Sequence, residues 1–178
     1  MDLTRILWDE SDGIGTITLN RPERMNAIDL RTVIERSVTL VRHQLELKNI
    51  QLDVNLAEGN PPLRGDMAQL QQVLLVLMVN ATDAMPQGGH LWLTTEYDDH
   101  WVRIRVRDNG AGIPADVLPR IFEPFFSTKE DQQRTGLGLA IASGIIEQHQ
   151  GRIEVASTER QGTEFTISLP LVREAVKV

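Results

Sequence analysis

The sequence predicts an α+β fold, a two-layer α/β sandwich with three helices on one face of a mixed, mostly antiparallel sheet. Three observations carry that expectation. Two helix-length apolar patterns precede a pair of alternating strands, and a third precedes another strand pair. The strands within each pair are joined by short turns, Asp98-Asp99 and Gln161-Gly162, and such turns join antiparallel neighbours. With 41% hydrophobic and 24% charged residues in 178, the composition is that of a globular chain rather than a disordered one. The length suits one domain with a sizeable core and an appendage.

Taken in order, Ile14-Gly15-Thr16-Ile17-Thr18-Leu19 alternates like a strand, and Asn20-Arg21-Pro22-Glu23 ends it as a turn. Asp29 is placed to cap a first helix, in which Leu30, Val33, Ile34, Val38, Val41 and Leu45 recur at helical spacing through about residue 48. Residues 50–56 alternate as a strand, and Glu58-Gly59-Asn60-Pro61-Pro62 reads as a loop. Asp66 caps a second helix carrying Leu70, Val73, Leu74, Leu77 and Ala81, and Pro86-Gln87-Gly88-Gly89 stops it. Residues 90–97 and 101–106 read as two strands, 115–121 as a short helical turn, and 137–150 as the third helix with Gly151 as its C-cap. Residues 153–157 and 163–169 are the last strands, and 171–178 read as a loose tail. The chain thus divides into an N-terminal appendage or linker (1–28), a main domain (29–170) and a C-terminal tail (171–178).

Composition narrows the function classes. A net charge of −7 argues against a nucleic-acid-binding surface. With no cysteine, neither disulfides nor thiolate–metal sites hold the fold. The longest apolar run, residues 73–79, is too short to span a bilayer, and no signal-peptide pattern opens the chain. The expectation is a cytoplasmic domain with no direct membrane contact, either free or as the cytoplasmic part of a membrane-bound sensor.

The informative stretch is Arg107-Asp108-Asn109-Gly110-Ala111-Gly112-Ile113-Pro114. It places a carboxylate at the end of an alternating strand, beside a turn whose Gly110 and Gly112 let another group approach the backbone. Alone it reads equally as an ordinary strand-to-loop turn. Three further segments keep it company: a helix carrying Asn80, then Phe122-Glu123-Pro124-Phe125-Phe126-Ser127-Thr128-Lys129, then Thr135-Gly136-Leu137-Gly138-Leu139. Over residues 29–170 their order and spacing resemble the N, G1, F and G2 boxes of the sensor histidine kinase catalytic domain, in the superfamily that also holds DNA gyrase, MutL and the heat-shock chaperone ATPases.

That resemblance implies a Bergerat-type fold that binds ATP and Mg²⁺ and takes part in phosphoryl transfer. It implies that Asp108 reads adenine, since a fixed carboxylate accepts from a 6-amino group and repels a 6-oxo group. It implies Mg²⁺ bound through the neutral amide of Asn80, which the resemblance makes both metal ligand and catalytic residue. It places nucleotide contacts at Gly110, Gly112, Ile113, Phe122, Phe125, Leu139 and Thr163. Phosphate contacts fall at the helix start formed by Thr135, Gly136, Leu137 and Gly138, where N–H groups and the helix dipole favour an anion. Phe122, Phe125 and Phe126 read as packing for a mobile lid over 123–134, on which Lys129, a second catalytic candidate, and Arg134 are placed to reach phosphates. Asp83 has two readings, a contact at the nucleotide edge or a solvated helix carboxylate.

Two positions depart from the family pattern. Val76 stands where its kinases usually carry a second asparagine and its gyrase-like ATPases a water-activating glutamate. Arg134 stands where many of its kinases have glycine. None of His43, His90, His100 and His149 has the sequence context of a phosphoacceptor. The resemblance therefore implies a catalytic domain that transfers phosphate to a histidine on a separate dimerisation domain, and thence to a response regulator. Two alternatives stand beside it: a nucleotide-binding regulatory module with little transfer activity, suggested by Val76, and a serine kinase or ATPase of the same superfamily. Residues 12–28 also resemble the first hairpin of crotonase (enoyl-CoA hydratase) enzymes. A linker leaving a phosphoacceptor domain and a fusion remnant are equally open for that segment.

Overall fold

The computed structural model describes residues 6–11, 14–19, 27–59, 61–127 and 135–172. Its centre is a five-stranded sheet of order β4(Ile50–Asn55), β6(Gly89–Tyr97), β7(Trp101–Asp108), β9(Gly162–Pro170) and β8(Arg152–Thr158). β4 runs parallel to β6 and every other pairing is antiparallel, so the sheet is mixed and mostly antiparallel as the sequence predicts. Helices α1(Leu30–Leu47), α2(Met67–Ala84) and α3(Gly138–Gln148) complete the sandwich.

Strand alternation decides which face the helices cover. Leu91 and Leu93 of β6, Val102, Ile104 and Val106 of β7, and Phe165, Ile167 and Leu169 of β9 are all buried. Their counterparts on the helices are the stripes the sequence marks: Val33, Ile34, Val38, Val41 and Leu45 on α1, and Leu70, Val73, Leu74, Leu77 and Met78 on α2. The opposite sheet face mixes charged side chains with Trp92 and Trp101, over which Arg107 and Arg152 lie. There Arg105 pairs with Glu96 at 2.5 Å and Arg103 with Asp98 at 3.0 Å across the β6–β7 hairpin. No helix of the described residues is long and apolar enough to cross a membrane.

Both expected caps form. Asp29 accepts from the Thr32 N–H at 3.2 Å, and Asp66 accepts from Ala68 and Gln69 at 2.7 and 3.1 Å. The end of α3 differs from expectation. The left-handed residue is Gln150, at φ 56°, and not Gly151. The Gly151 N–H returns to the Ile146 carbonyl and that of Gln150 to Glu147, both at 2.9 Å, which is a Schellman ending. Gly151 is small for another reason: a Cβ there would lie 2.5 Å from the Ser168 carbonyl oxygen.

Other differences are local. The expected strand at residues 14–19 is β2(Ile14–Leu19), and it pairs with β1(Ile6–Ser11), which the sequence does not mark. Two-residue strands β3(Ala27–Ile28) and β5(Leu63–Arg64) pair beside the expected 58–62 loop, and Ile28 is 3% exposed in the core. The expected helical turn at 115–121 shortens to a 3-10 turn, Leu118–Arg120. The start of the expected tail is held: Leu171 bridges to Leu63, and the Val172 N–H donates to the Pro62 carbonyl at 2.9 Å. The turn at 20–23, residues 128–134 of the expected 123–134 lid and all of the crotonase-like stretch outside β2 and β3 lie outside the described residues.

Candidate functional site

α2 divides its faces between core and cleft. Val76, Asn80 and Asp83, at i, i+4 and i+7, form a stripe beside the core stripe and line a cleft of about 740 Å³. The last turn of α2 meets the turn after β7, where the Ala111 N–H donates to the Ala84 carbonyl at 3.0 Å. A Cβ on Gly110 would lie 2.5 Å from that same carbonyl oxygen, so the close approach requires glycine. Two turns earlier on α2, Val76 Cγ1 lies 3.3 Å from where a Cβ on Gly138 would be. At 1.5 Å per residue, α2 therefore separates the Asp108 end of the cleft from the α3 end by about 12 Å, with Asn80 midway.

At the first end, β7 finishes with Asp108, 4% exposed and beside Thr163 of β9. One carboxylate oxygen, Oδ1, accepts from the Gly110 N–H at 2.8 Å and the Thr163 N–H at 3.3 Å. Oδ2 has no hydrogen bond among the described residues. Burial pushes the Asp108 carboxyl above its ordinary value, and the two N–H bonds pull it partly back. Two turns pack backbone to backbone behind it. Gly112 sits at φ 67°, where a Cβ would overlap the Thr158 carbonyl oxygen. Gly162 sits at φ 99°, where a Cβ would overlap the Asp108 carbonyl oxygen.

At the second end, α3 starts at Gly138 with Leu137 as N-cap and no side-chain cap bond. Among the described residues no side chain caps its first N–H groups, and Gly136, Gly138 and Leu139 line the cleft at this end, beside a dipole that favours negative charge. The preceding Gly136 accepts from the Phe125 N–H at 3.1 Å, which ties the phenylalanine-rich segment to this corner. Asp83 is held from outside the cleft: Lys48, the C-cap of α1, reaches its Oδ1 at 3.3 Å and the Thr82 carbonyl at 3.4 Å.

The structure thus brings Asn80, Asp83, Asp108, Gly112, Ile113, Thr135, Gly136, Gly138, Leu139 and Thr163 around one cleft. Gly110 and Leu137 support its walls without lining it. Phe122 stands behind it, edge-on to Phe165 with ring centroids 6.5 Å apart, and Phe125 is 76% exposed. Lys129 and Arg134 lie outside the described residues. The lining also includes Leu75, Val79, Ile121, Phe126 and Phe165, which sequence reasoning did not assign to the site. Apolar side chains on a cleft wall have the same periodicity as core, so only their position beside Asn80 and Asp108 distinguishes them.

An open two-layer α+β sandwich whose cleft runs from a buried strand-end carboxylate to an uncapped helix N-terminus has the Bergerat architecture. A family model described as "Histidine kinase-, DNA gyrase B-, and HSP90-like ATPase" matches residues 65–173. The chain belongs to that family. It is 38% identical over 176 residues to the sensor histidine kinase ZraS of Escherichia coli (strain K12), covering 95% of this chain and 37% of that protein. It is 39% identical over 144 residues to sporulation kinase E of Bacillus subtilis (strain 168), covering 80% of this chain and 19% of that protein. Among solved structures, the catalytic domain of histidine kinase ThkA superposes with a TM-score of 0.73 at 29% identity, covering 81% of this chain and 95% of that one. Full-length ShkA in complex with AMPPNP gives a TM-score of 0.74 at 29% identity, covering 85% of this chain and 32% of that one. The chain therefore spans well under half the length of these curated relatives.

The family implies a nucleoside triphosphate, and the cleft's donors and acceptors fit one. Asp108 Oδ2 is an acceptor for a base amino group, and the bare start of α3 is a donor set for phosphate. No group of three or more His, Cys, Asp or Glu side chains stands ready to hold a metal among the described residues. Asn80 fits a Mg²⁺ carried mainly by phosphate oxygens and water, which is how that ion ordinarily binds with nucleotides.

Proposed function

We propose that this chain is the ATP-binding catalytic domain of a sensor histidine kinase, which positions Mg²⁺·ATP so that the γ-phosphoryl group passes to a histidine on a separate dimerisation domain. The observation that carries the reading is the cleft itself, with the acceptor of Asp108 at one end, the open N-terminus of α3 at the other, and Asn80 between them. Phosphoryl transfer asks a protein mainly for positioning and charge stabilisation, so a domain without its own acceptor is chemically sufficient for this half of the work. In this reading Asp108 and Thr163 hold the base, Gly136, Gly138 and Leu139 receive phosphates, and Asn80 supplies an oxygen to the ion. Lys129 or Arg134 is the candidate for a basic phosphate contact, and a response regulator takes the phosphoryl group onward. The domain works in the cytoplasm, where ATP is supplied.

A second reading, a nucleotide-binding module with slow transfer, is favoured by Val76. Its isopropyl group packs beside Gly138 and offers neither metal, water nor phosphate a ligand. The reading as an ATP-binding domain is tested by calorimetric titration with Mg²⁺·ATP and Mg²⁺·GTP. Binding of ATP with rejection of GTP, abolished by Asp108→Ala, is the expected result. Unchanged affinity in Asp108→Ala would overturn the assignment.

A further inference from the structure

The β8–β9 turn sets a pair of hydroxyls behind the Asp108 end of the cleft. Ser157 on β8 lies opposite Thr163 on β9. Thr163 is 5% exposed and lines the cleft, whereas Ser157 is outside the lining and half-buried. Three polar groups converge on Ser157 Oγ. The Ile113 N–H donates to it at 2.8 Å, it donates to the Gly162 carbonyl at 2.9 Å, and Thr163 Oγ1 lies 2.9 Å away.

A serine hydroxyl has one proton and two lone pairs, which fixes the direction of the third bond. The Gly162 carbonyl can only accept, so it takes the Ser157 proton. The Ile113 N–H can only donate, so it takes one lone pair. What is left for Thr163 is the second lone pair, and Thr163 must be the donor. Its own proton is then committed to Ser157, and a ligand in the cleft meets Thr163 Oγ1 as an acceptor. Asp108 Oδ2 beside it is an acceptor too. A pocket that offers only acceptors there favours a base with a 6-amino group and disfavours one with a 6-oxo group.

We infer that Ser157, though out of contact with the ligand, is a positioning residue for purine discrimination, because it dictates the direction of the Thr163 hydroxyl. The inference deepens the ATP-binding reading and rests on it. Removing the Ser157 acceptor frees the Thr163 proton to turn into the cleft and donate to a 6-oxo group.

The test compares calorimetric affinities of the full chain for ATP and for inosine triphosphate, which carries oxo where ATP carries amino, both with Mg²⁺. Ser157→Ala should lower the ATP-to-ITP affinity ratio by about tenfold, the scale of one net hydrogen bond. Ser157→Cys keeps a side chain of similar shape but accepts poorly, and it should shift the ratio the same way; it decides the matter alone if Ser157→Ala does not fold. In a Thr163→Val background, Ser157→Ala should change the ratio no further. An unchanged ratio, or equal weakening of both nucleotides, would overturn the inference while leaving the ATP reading intact. A parent chain that binds neither nucleotide would overturn that reading itself, and with it the ground for this one.

Discussion

Asp108 is asked to stay ionised in a place where burial opposes ionisation. Its carboxyl is held above the ordinary value of 3.8 by desolvation, with the Gly110 and Thr163 N–H groups limiting the rise. The sign follows for both folding and binding. The folded domain holds this proton more tightly than the unfolded chain does, so the ionised side chain costs stability above its folded pKa and that cost is relieved as pH falls toward 3.8. Binding runs the other way, because a protonated oxygen no longer accepts from a base amino group. ATP affinity should therefore begin to fall on acidification at a pH above 3.8, and affinities measured in a calorimetric series from neutral pH downward check it; constant affinity to that point would contradict the role of Asp108. Val76 is the second residue-scale question. It shares a helix face with Asn80 one turn on and abuts Gly138 at the start of α3, so it borders the phosphate end and not the Asp108 end. Losing one aligned contact in a transition state commonly costs about 10²–10³ in rate. Val76→Asn should accordingly raise phosphotransfer to an acceptor hairpin added in trans by well over tenfold, with little change in ATP affinity. No gain from a parent that is already fast would make position 76 core packing.

At the scale of elements, α2 sets the length of the cleft and α3 closes it, and one side chain locks the two together. His149, the C-cap of α3, accepts the Asp66 N–H on Nε2 at 2.9 Å and donates from Nδ1 to the Ile145 carbonyl at 2.8 Å. It thereby joins the end of α3 to the N-cap residue of α2. His149→Ala removes both bonds, and because the Asp66 N–H lies at the surface, where water can take it, the cost is that of net hydrogen bonds, about 0.5–1.5 kcal/mol each. A lower thermal unfolding midpoint with unchanged ATP affinity is the expected outcome, since His149 is not part of the cleft lining. This linkage was not legible in the sequence, where His149 reads only as a packed or solvated residue. The helices themselves were legible, because Asp29 and Asp66 cap them and their apolar stripes repeat over several turns. Strands β3 and β5 have two residues each and leave no periodicity to read. Gly151 misled for a related reason: glycine marks both left-handed caps and close backbone contacts, and here it serves the contact with Ser168 while Gln150 takes the cap. The cleft's polar residues could be read from the spacing of four motifs, whereas the Ser157–Thr163 pairing depends on a strand register that the sequence does not display.

For the whole molecule, the two ends of the domain meet on one short segment. Leu63, 1% exposed, pairs through β5 with Ile28 and bridges to Leu171, and Pro62 accepts from the Val172 N–H. The sequence motifs all lie after Asp29, which suggests that residues 1–28 are dispensable for nucleotide binding. The packing moves that limit by two residues, since Ile28 belongs to the same buried cluster as Leu30, Ile34 and Leu63. Deleting a buried isoleucine removes its transfer free energy and leaves a cavity, together about 2–5 kcal/mol. Ile28, in the core, is not part of the cleft lining. Two truncations separate the contributions. A chain beginning at Ala27 should keep the parent's ATP affinity and unfolding midpoint. A chain beginning at Asp29 should bind ATP with similar affinity where it is folded but unfold at a distinctly lower temperature. Calorimetry and thermal unfolding read the two outcomes independently. A large loss of affinity on removing only residues 1–26 would place the β1–β2 hairpin against the site, and equal midpoints for the two truncations would show that Ile28 adds nothing to the core.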